Sequence, residues 1–371
     1  MSQIIQPTSY SNYAPLRYEV TRKSCLKIAE KYQYNLRKLD KFILSEKVLY
    51  EVTPAIEIHR LGGALESFKI VQDEVEKMIS YIEFYSSNRI IYDFHRILTG
   101  ALLETDVDKI MLETIPRTQE SCYLHFGDFN WPPEYPSGLE GVYVSFRSYK
   151  DGDRSIFFNP VYKHQFSVPL HINAEKESET NYFEIFFRDS TEGISACLEN
   201  IADEIAESNE EWLDLLLNAP PEIAAPISLF AGAAVRDPGD PRINSMVAKI
   251  SINCLLYLAA VPEDTHEEWD DRAPHELVKQ ATISEKAGTR KTAERTLANQ
   301  HYIKVRMIGK HFTQHHAAHS VSSGKKSTHI RKGHFRNQAY GHDWSQHRVI
   351  FIAPKIINLG DSEIPGRIFD I

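Results

Sequence analysis

The sequence predicts an α+β fold: a helical N-terminal part, an antiparallel β-meander, an acidic and an apolar helix, and a basic C-terminal module ending in a short strand. Three observations carry this reading. Apolar residues recur every three or four positions through the first 115 residues, and every second position from about Tyr123 to Arg188. Toward the C-terminus the charge reverses sign. These changes mark three regions, 1–118, 119–262 and 263–371, in a 371-residue chain that is long for one simple core.

In the first region Leu65, Phe68, Val71, Val75, Met78 and Ile82 fall on one stripe of a helix, with Glu66, Asp73, Glu76 and Lys77 off it. Gly62-Gly63 punctuates its start. Leu26–Leu49 carries a looser helical pattern, and a further helix is expected over Ile97–Leu112. Pro54 and Pro116 close these two, because proline disfavours helix in the residue before it. Such stripes ordinarily build a core rather than a binding site.

In the second region Val142, Val144 and Phe146 alternate with Tyr143, Ser145 and Arg147, and Asp151-Gly152 supplies a hairpin turn before Ile156-Phe157-Phe158. His164–Ile172 and Tyr182–Phe187 are expected to be further strands of the meander. The proline-rich insert from Trp131 to Pro136 reads as an exposed loop at its margin. An amphipathic helix follows, with Ile194, Leu198, Ile201, Ile205, Trp212 and Leu216 on one side and Glu199, Asp203, Glu204, Glu207, Glu210 and Glu211 on the rest. The acidic side is either a plain solvated surface or a site for something basic. Asp237-Pro238-Gly239-Asp240-Pro241 then breaks the chain before an apolar helix, Ile243–Ala260, expected at the centre of a core.

The third region is basic. Between Lys286 and Arg348 there are 13 Lys and Arg against Glu294 and Asp343, a balance of +11 in a chain of net charge −9. Nine of the 16 histidines lie between His301 and His347. Two uses stand open: affinity for a polyanion such as RNA, or attraction to the acidic body of the same chain. No strong period appears from Val261-Pro262 to Tyr302, after which Ile303, Val305 and Met307 alternate with Lys304 and Arg306 as a short strand with one basic face. Residues 317–328 have the composition of a flexible linker. His311, His315 and His319, four apart, could join His329 or His334 in a zinc site. The Ser/Gly/Lys-rich continuation and the lack of a nearby cysteine favour a solvated histidine tract, so neither metal nor cofactor is expected.

Several classes are disfavoured. The longest strongly apolar stretch, Ile252–Val261, falls short of the roughly 20 residues that span a bilayer, and the start of the chain lacks the pattern of a secretory signal. Cys25, Cys122, Cys197 and Cys254 are scattered and form no CxxC pair, as expected of reduced cysteines in a cytoplasm. No nucleophile elbow, Walker loop, dinucleotide fingerprint or HExxH is present. No catalytic residue is assigned, and the chain reads as a binding protein.

The densest unusual chemistry runs from His329 to Gln338. Arg331 and Arg336 offer planar donor forks, His329 and His334 can donate or accept, and Phe335 adds an aromatic face. The binding residues expected are His329, Arg331, Lys332, Gly333, His334, Phe335, Arg336 and Gln338. In that reading Arg331 and Arg336 hold anions or carbonyls, His334 orients, and Phe335 anchors by packing. The alternative is that Gly333, His334 and Phe335 simply fix a turn and dock the last strand on the core. Tyr340 and Trp344, interleaved with arginines, suit stacking on bases and suit a protein interface equally.

The order of elements, with His329-Ile330-Arg331-Lys332-Gly333-His334-Phe335 followed by an apolar strand from Arg348 to Ile357, resembles the type V-A anti-CRISPR proteins that end in His-Ile-Arg-Arg-Gly-His-aromatic and a short strand. Leu61-Gly62-Gly63, Ile91-Tyr92-Asp93-Phe94 and Val142-Tyr143-Val144 are weaker echoes. Lys332 stands where that family usually has arginine, and Phe335 where it has tryptophan. The resemblance implies a mobile-element inhibitor of the type V-A effector nuclease that recognises the effector's N-terminal segment as it is translated, with loss of the encoding message. It implies binding rather than chemistry, in the host cytoplasm, with ribosome or mRNA as further partners. The rival readings are a general RNA- or ribosome-binding regulator, and a metal-dependent nuclease using the histidine tract.

Overall fold

A computed structural model describes residues 11–21, 79–107, most of 110–162, 183–186, Ile194, Cys197, Leu198, 241–310, Phe312 and 329–357. The expected helix over Leu26–Leu49, the strand His164–Ile172, the linker 317–328 and the histidines His311, His315 and His319 lie outside them. So do the larger parts of the Leu65–Ile82 stripe and of the acidic helix, of which Ile194 and Leu198 are buried.

The frame is a seven-stranded mixed sheet. Its strands are β1 (Ile91–Phe94), β2 (Ser121–His125), β3 (Leu139–Ser148), β4 (Arg154–Tyr162), β5 (Phe183–Phe186), β6 (Thr265–Trp269) and β7 (Lys304–Ile308), in the order β5-β4-β3-β2-β1-β7-β6. The expected antiparallel meander is the β2-to-β5 half. The other half corrects the reading that the first 115 residues are helical, because β1 runs parallel to both β2 and β7. Physically, Ile90 to Phe94 is a β-branched and aromatic run too short to make a helical stripe. The preceding helix, described over 79–86, is stopped by Asn88 and Arg89 at φ 69° and 55°, with the Arg89 amide donating back to the Phe84 carbonyl at 3.0 Å.

Period-two alternation gives the sheet two different buried faces. One is apolar: Tyr92, Phe94, Cys122, Leu124, Val142, Val144, Ile156, Phe158 and Ile185 join one core with the helices Arg96–Leu103 and Pro241–Ala260. The central position expected of the apolar helix holds, with Val247, Ala248, Ile250, Cys254 and Leu256 fully buried. This helix is long and apolar enough to cross a membrane, but its surface is spent on the protein's own core. The other face carries Asp93, Tyr123, His125, Tyr143, Arg147, Phe157, Asn159 and Glu184, and is closed by helix 79–86 and by Ala14–Thr21.

The helix expected over Ile97–Leu112 stops at Leu103. Its last carbonyls are captured from the apolar helix, where Asn253 Nδ2 donates to the carbonyls of Leu102 at 2.7 Å and Thr105 at 3.2 Å. Three elements without a strong period also form: β6 and the helices His275–Ile283 and Ala287–Asn299. They share a small satellite core of Ala281, Ala293 and Leu297 with Trp269, Leu277, Val278 and Tyr302, too few apolar positions to print a stripe. As a charged edge strand, β6 also avoids further pairing.

The final strand is likewise corrected. Arg348–Ile357 is not continuous: β10 (Gln346–Ile352) pairs antiparallel with β9 (His334–Tyr340), and β11 (Lys355–Ile357) with β8 (His329–Arg331). Ala353-Pro354 interrupts one side and Lys332-Gly333 the other, so the two short pairs form one broken ribbon. Pro354 has no N–H to give a ladder.

Candidate functional site

The ribbon β8–β11 carries every residue expected at the site, and its break and its pleat sort them into different roles. At the break, Gly333 lies against the end of the helix Arg96–Leu103. The Asp106 amide donates to the Gly333 carbonyl at 3.0 Å, and Asp106 bridges His334 in parallel. A Cβ on Gly333 would sit 2.8 Å from Thr105 Oγ1 and 2.9 Å from Pro354 Cδ, so only glycine fits this approach without a shift. Thr105 cannot easily retreat, since its hydroxyl donates to the Ala101 carbonyl at 2.7 Å.

Beyond the break, the pleat of β9 separates neighbours. Phe335 is buried and stacks obliquely on Phe351 of β10 at 5.2 Å, and Phe351 meets the Tyr257 ring of the apolar helix edge-on at 5.2 Å. Val349 extends this seam. His334, Arg336, Gln338 and Tyr340 alternate with those positions, and the register places Arg348 opposite Gln338. Arg336 and Arg348 are exposed, and the Arg348 guanidinium lies 5.3 Å from the Tyr340 ring centroid. Gln338 Nε2 donates to the Ala339 carbonyl at 2.8 Å. Lys332 is exposed at the break. The backbones of His329 and Arg331 pair with Ile357 and Lys355, while their side chains lie outside the described ones.

Gly333 and Phe335 thus dock the ribbon, and Lys332, Arg336, Gln338, Tyr340 and Arg348 are presented outward. Tyr340 and Arg348 were outside the set assigned to the motif. A period-two count from Phe335 would have placed Tyr340 with Arg336, had the length of the strand been legible.

Charge is partitioned as sharply. The basic face expected on β7 is met within the sheet by β6: Arg306 Nε lies 3.6 Å from Glu267 and Lys304 Nζ 3.8 Å, Lys304 also reaches Glu294 at 3.6 Å, and Lys310 reaches Glu268 at 2.6 Å. Among the described residues, Lys332, Arg336 and Arg348 form no ion pair. Attraction to the chain's own acids therefore accounts for β7, and among the described residues it does not extend to Lys332, Arg336 or Arg348.

A second polar cluster ties the N-terminal helices to the sheet. Tyr13 donates its hydroxyl to Asp93 at 2.9 Å and sets its ring edge-on to His125 at 4.9 Å. Glu140 accepts from the Ala14 amide at 3.1 Å and pairs with Arg17. Burial lifts the Asp93 carboxyl to about 6, with Glu268 and Asp271 adding to the rise and the Tyr13 hydrogen bond opposing it. The Tyr13 hydroxyl is pushed far above its ordinary value, chiefly by burial and then by Asp93. Arg147 donates to both carboxylate oxygens of Glu83 at 3.0 Å and lies 3.6 Å over the Phe157 ring. These pairs set the seating of helix on sheet, which fewer directional contacts would leave loose.

The class defined by these features is an α+β protein whose mixed sheet carries a docked β-ribbon with a cationic, aromatic outer face. A model of the AcrVA2-like family, the anti-CRISPR type V subtype A2 family, matches residues 92–359, and the chain belongs to that family. The match runs from β1 through the whole ribbon. The chain is also similar to AcrVA2 in its crystal structure, with 11% identity, 93% of this chain and 97% of the other covered, and a TM-score of 0.39. Comparison with curated proteins finds no match.

Proposed function

We propose that this protein is a non-catalytic inhibitor of a type V-A CRISPR effector nuclease, recognising the effector's N-terminal segment as it emerges during translation and lowering expression through loss of the message. The supporting observation is family membership over 92–359, which includes the ribbon motif. The acidic body is the surface suited to a short basic and apolar peptide, and the ribbon faces the ribosome or the message. The setting is the cytoplasm of the bacterial host. Pull-down of the effector's N-terminal peptide by the purified chain tests the recognition step. Retention at micromolar peptide is expected, and no retention at that concentration would remove the peptide from this account.

A further inference from the structure

We propose that the tip of the ribbon, Tyr340–Arg348, is a contact surface for single-stranded RNA. This rests on the reading that the protein works at a message under translation, and it names the surface that would hold the RNA there. Tyr340 to Arg348 are all exposed. Among the described residues, the exposed large apolar side chains are Met111, Ile283, Tyr340 and Trp344, so two of the four share this one tip, Trp344 at 68% exposure. These two rings, within five residues of each other, offer faces on which a partner can stack, with the Arg348 guanidinium 5.3 Å from the Tyr340 centroid.

The backbone points the same way. Gly341 turns at φ 82°, and Asp343 and Trp344 follow at φ 53° and 56°, a left-handed pair in which a bulky tryptophan is unusual. Internal bonds hold that shape: the Ser345 hydroxyl donates to the His342 carbonyl at 2.9 Å, and His342 Nδ1 lies 2.9 Å from Asp343. The turn therefore presents the indole instead of folding it onto the ribbon.

Charge decides which partner fits. The cations of the ribbon's outer face are Arg348, 5.3 Å from the Tyr340 centroid, and Arg336, with Lys332 at the break, and none of the three is ion-paired among the described residues. Asp343 is the single acid of the tip, with His342 Nδ1 2.9 Å from its carboxylate. The remaining neighbours are Gly341, Ser345, Gln346 and His347, a polar rim that leaves water around the rings. An aromatic anchor of a protein interface works inside a rim that excludes water. Base stacking tolerates a wet rim and gains from nearby cations that meet phosphates, which is the arrangement here.

The test uses the purified full chain and a short fluorescein-labelled single-stranded RNA of mixed sequence, followed by anisotropy across a salt series. Binding should weaken on the order of tenfold in Trp344→Ala, the cost of one lost stacked base. The Arg336→Ala/Arg348→Ala pair should bind more weakly and with a shallower salt dependence. Both variants change exposed side chains, and unfolding midpoints matching the parent chain would show that they fold. A parent chain that binds no RNA at low salt, or variants that bind as the parent does, would overturn the proposal. Loss of effector-peptide capture in Trp344→Ala with RNA binding unchanged would also overturn it and give the tip to a protein partner. Because the RNA assay contains no effector peptide, its failure is separable from failure of peptide recognition.

Discussion

Phe335 and Phe351 face each other across the antiparallel pairing of β9 and β10, with ring centroids 5.2 Å apart, and join the ribbon to Tyr257 on the central helix. This seam makes the motif a structural joint on one side and a presenting surface on the other. Phe335→Ala is expected to cost about 3–5 kcal/mol, the range for emptying a buried aromatic site. Chemical denaturation would show it, and a loss within experimental error would mean the ribbon is not docked as described. Arg336→Ala, on the adjacent outward position, should leave the unfolding midpoint unchanged.

Gly333→Ala should destabilise by about 1–3 kcal/mol, because the new methyl meets Thr105 Oγ1 and Pro354 Cδ inside contact distance. Combining it with Thr105→Ala removes one of those obstacles. The double variant is expected to lose less than the sum of the two single changes, a non-additivity that a double-mutant cycle measures directly.

Arg147→Ala leaves Glu83 and the buried Glu184 facing each other without their shared cation. A loss of about 3–5 kcal/mol is expected, as for breaking one side of a buried ion pair. Arg147→Lys should recover only part of it, since an ammonium cannot reproduce the two-oxygen grip on Glu83 or the flat contact with Phe157.

Asp93 gives a pH signature. Its carboxyl is raised from 3.8 to about 6 in the folded protein, so the folded state binds this proton more tightly than the unfolded chain does. The stability from this group is fully present below 3.8 and is lost as pH rises through about 6. Asp93→Asn removes that loss, and should be more stable than the parent near pH 8 by at most about 3 kcal/mol. Thermal unfolding across this window checks it, and parallel pH profiles for parent and variant would contradict it.

Legibility in the sequence followed apolar density. The helix Ile243–Ala260 and the strands around Val142 to Phe158 showed their periods because long stretches of each are buried, and both formed. The helices His275–Ile283 and Ala287–Asn299 bury little beyond Ala281, Ala293 and Leu297, so they left no stripe to read. β1 was hidden because four residues cannot display a period, and its place in the sheet comes from pairing with β7 more than 200 residues away. Within the motif, composition announced recognition chemistry. Which residues point in or out depended on the break at Gly333, and Gly333 is dictated by Thr105 and Pro354, two contacts distant in sequence. The polar face holding Asp93, His125 and Arg147 was equally hidden, since alternation in β3 fits a solvated face as well as one covered by helices.

Reading of the translated N-terminal segment is the proposed step by which the chain lowers effector expression. Effector mRNA should be quantified in cells expressing this protein, for a native message and for one frameshifted across the N-terminal segment and restored afterwards, so that RNA sequence is nearly kept and peptide sequence is lost. The native message is expected to fall and the frameshifted one to persist; equal loss of both, or of neither, would contradict recognition of the translated segment.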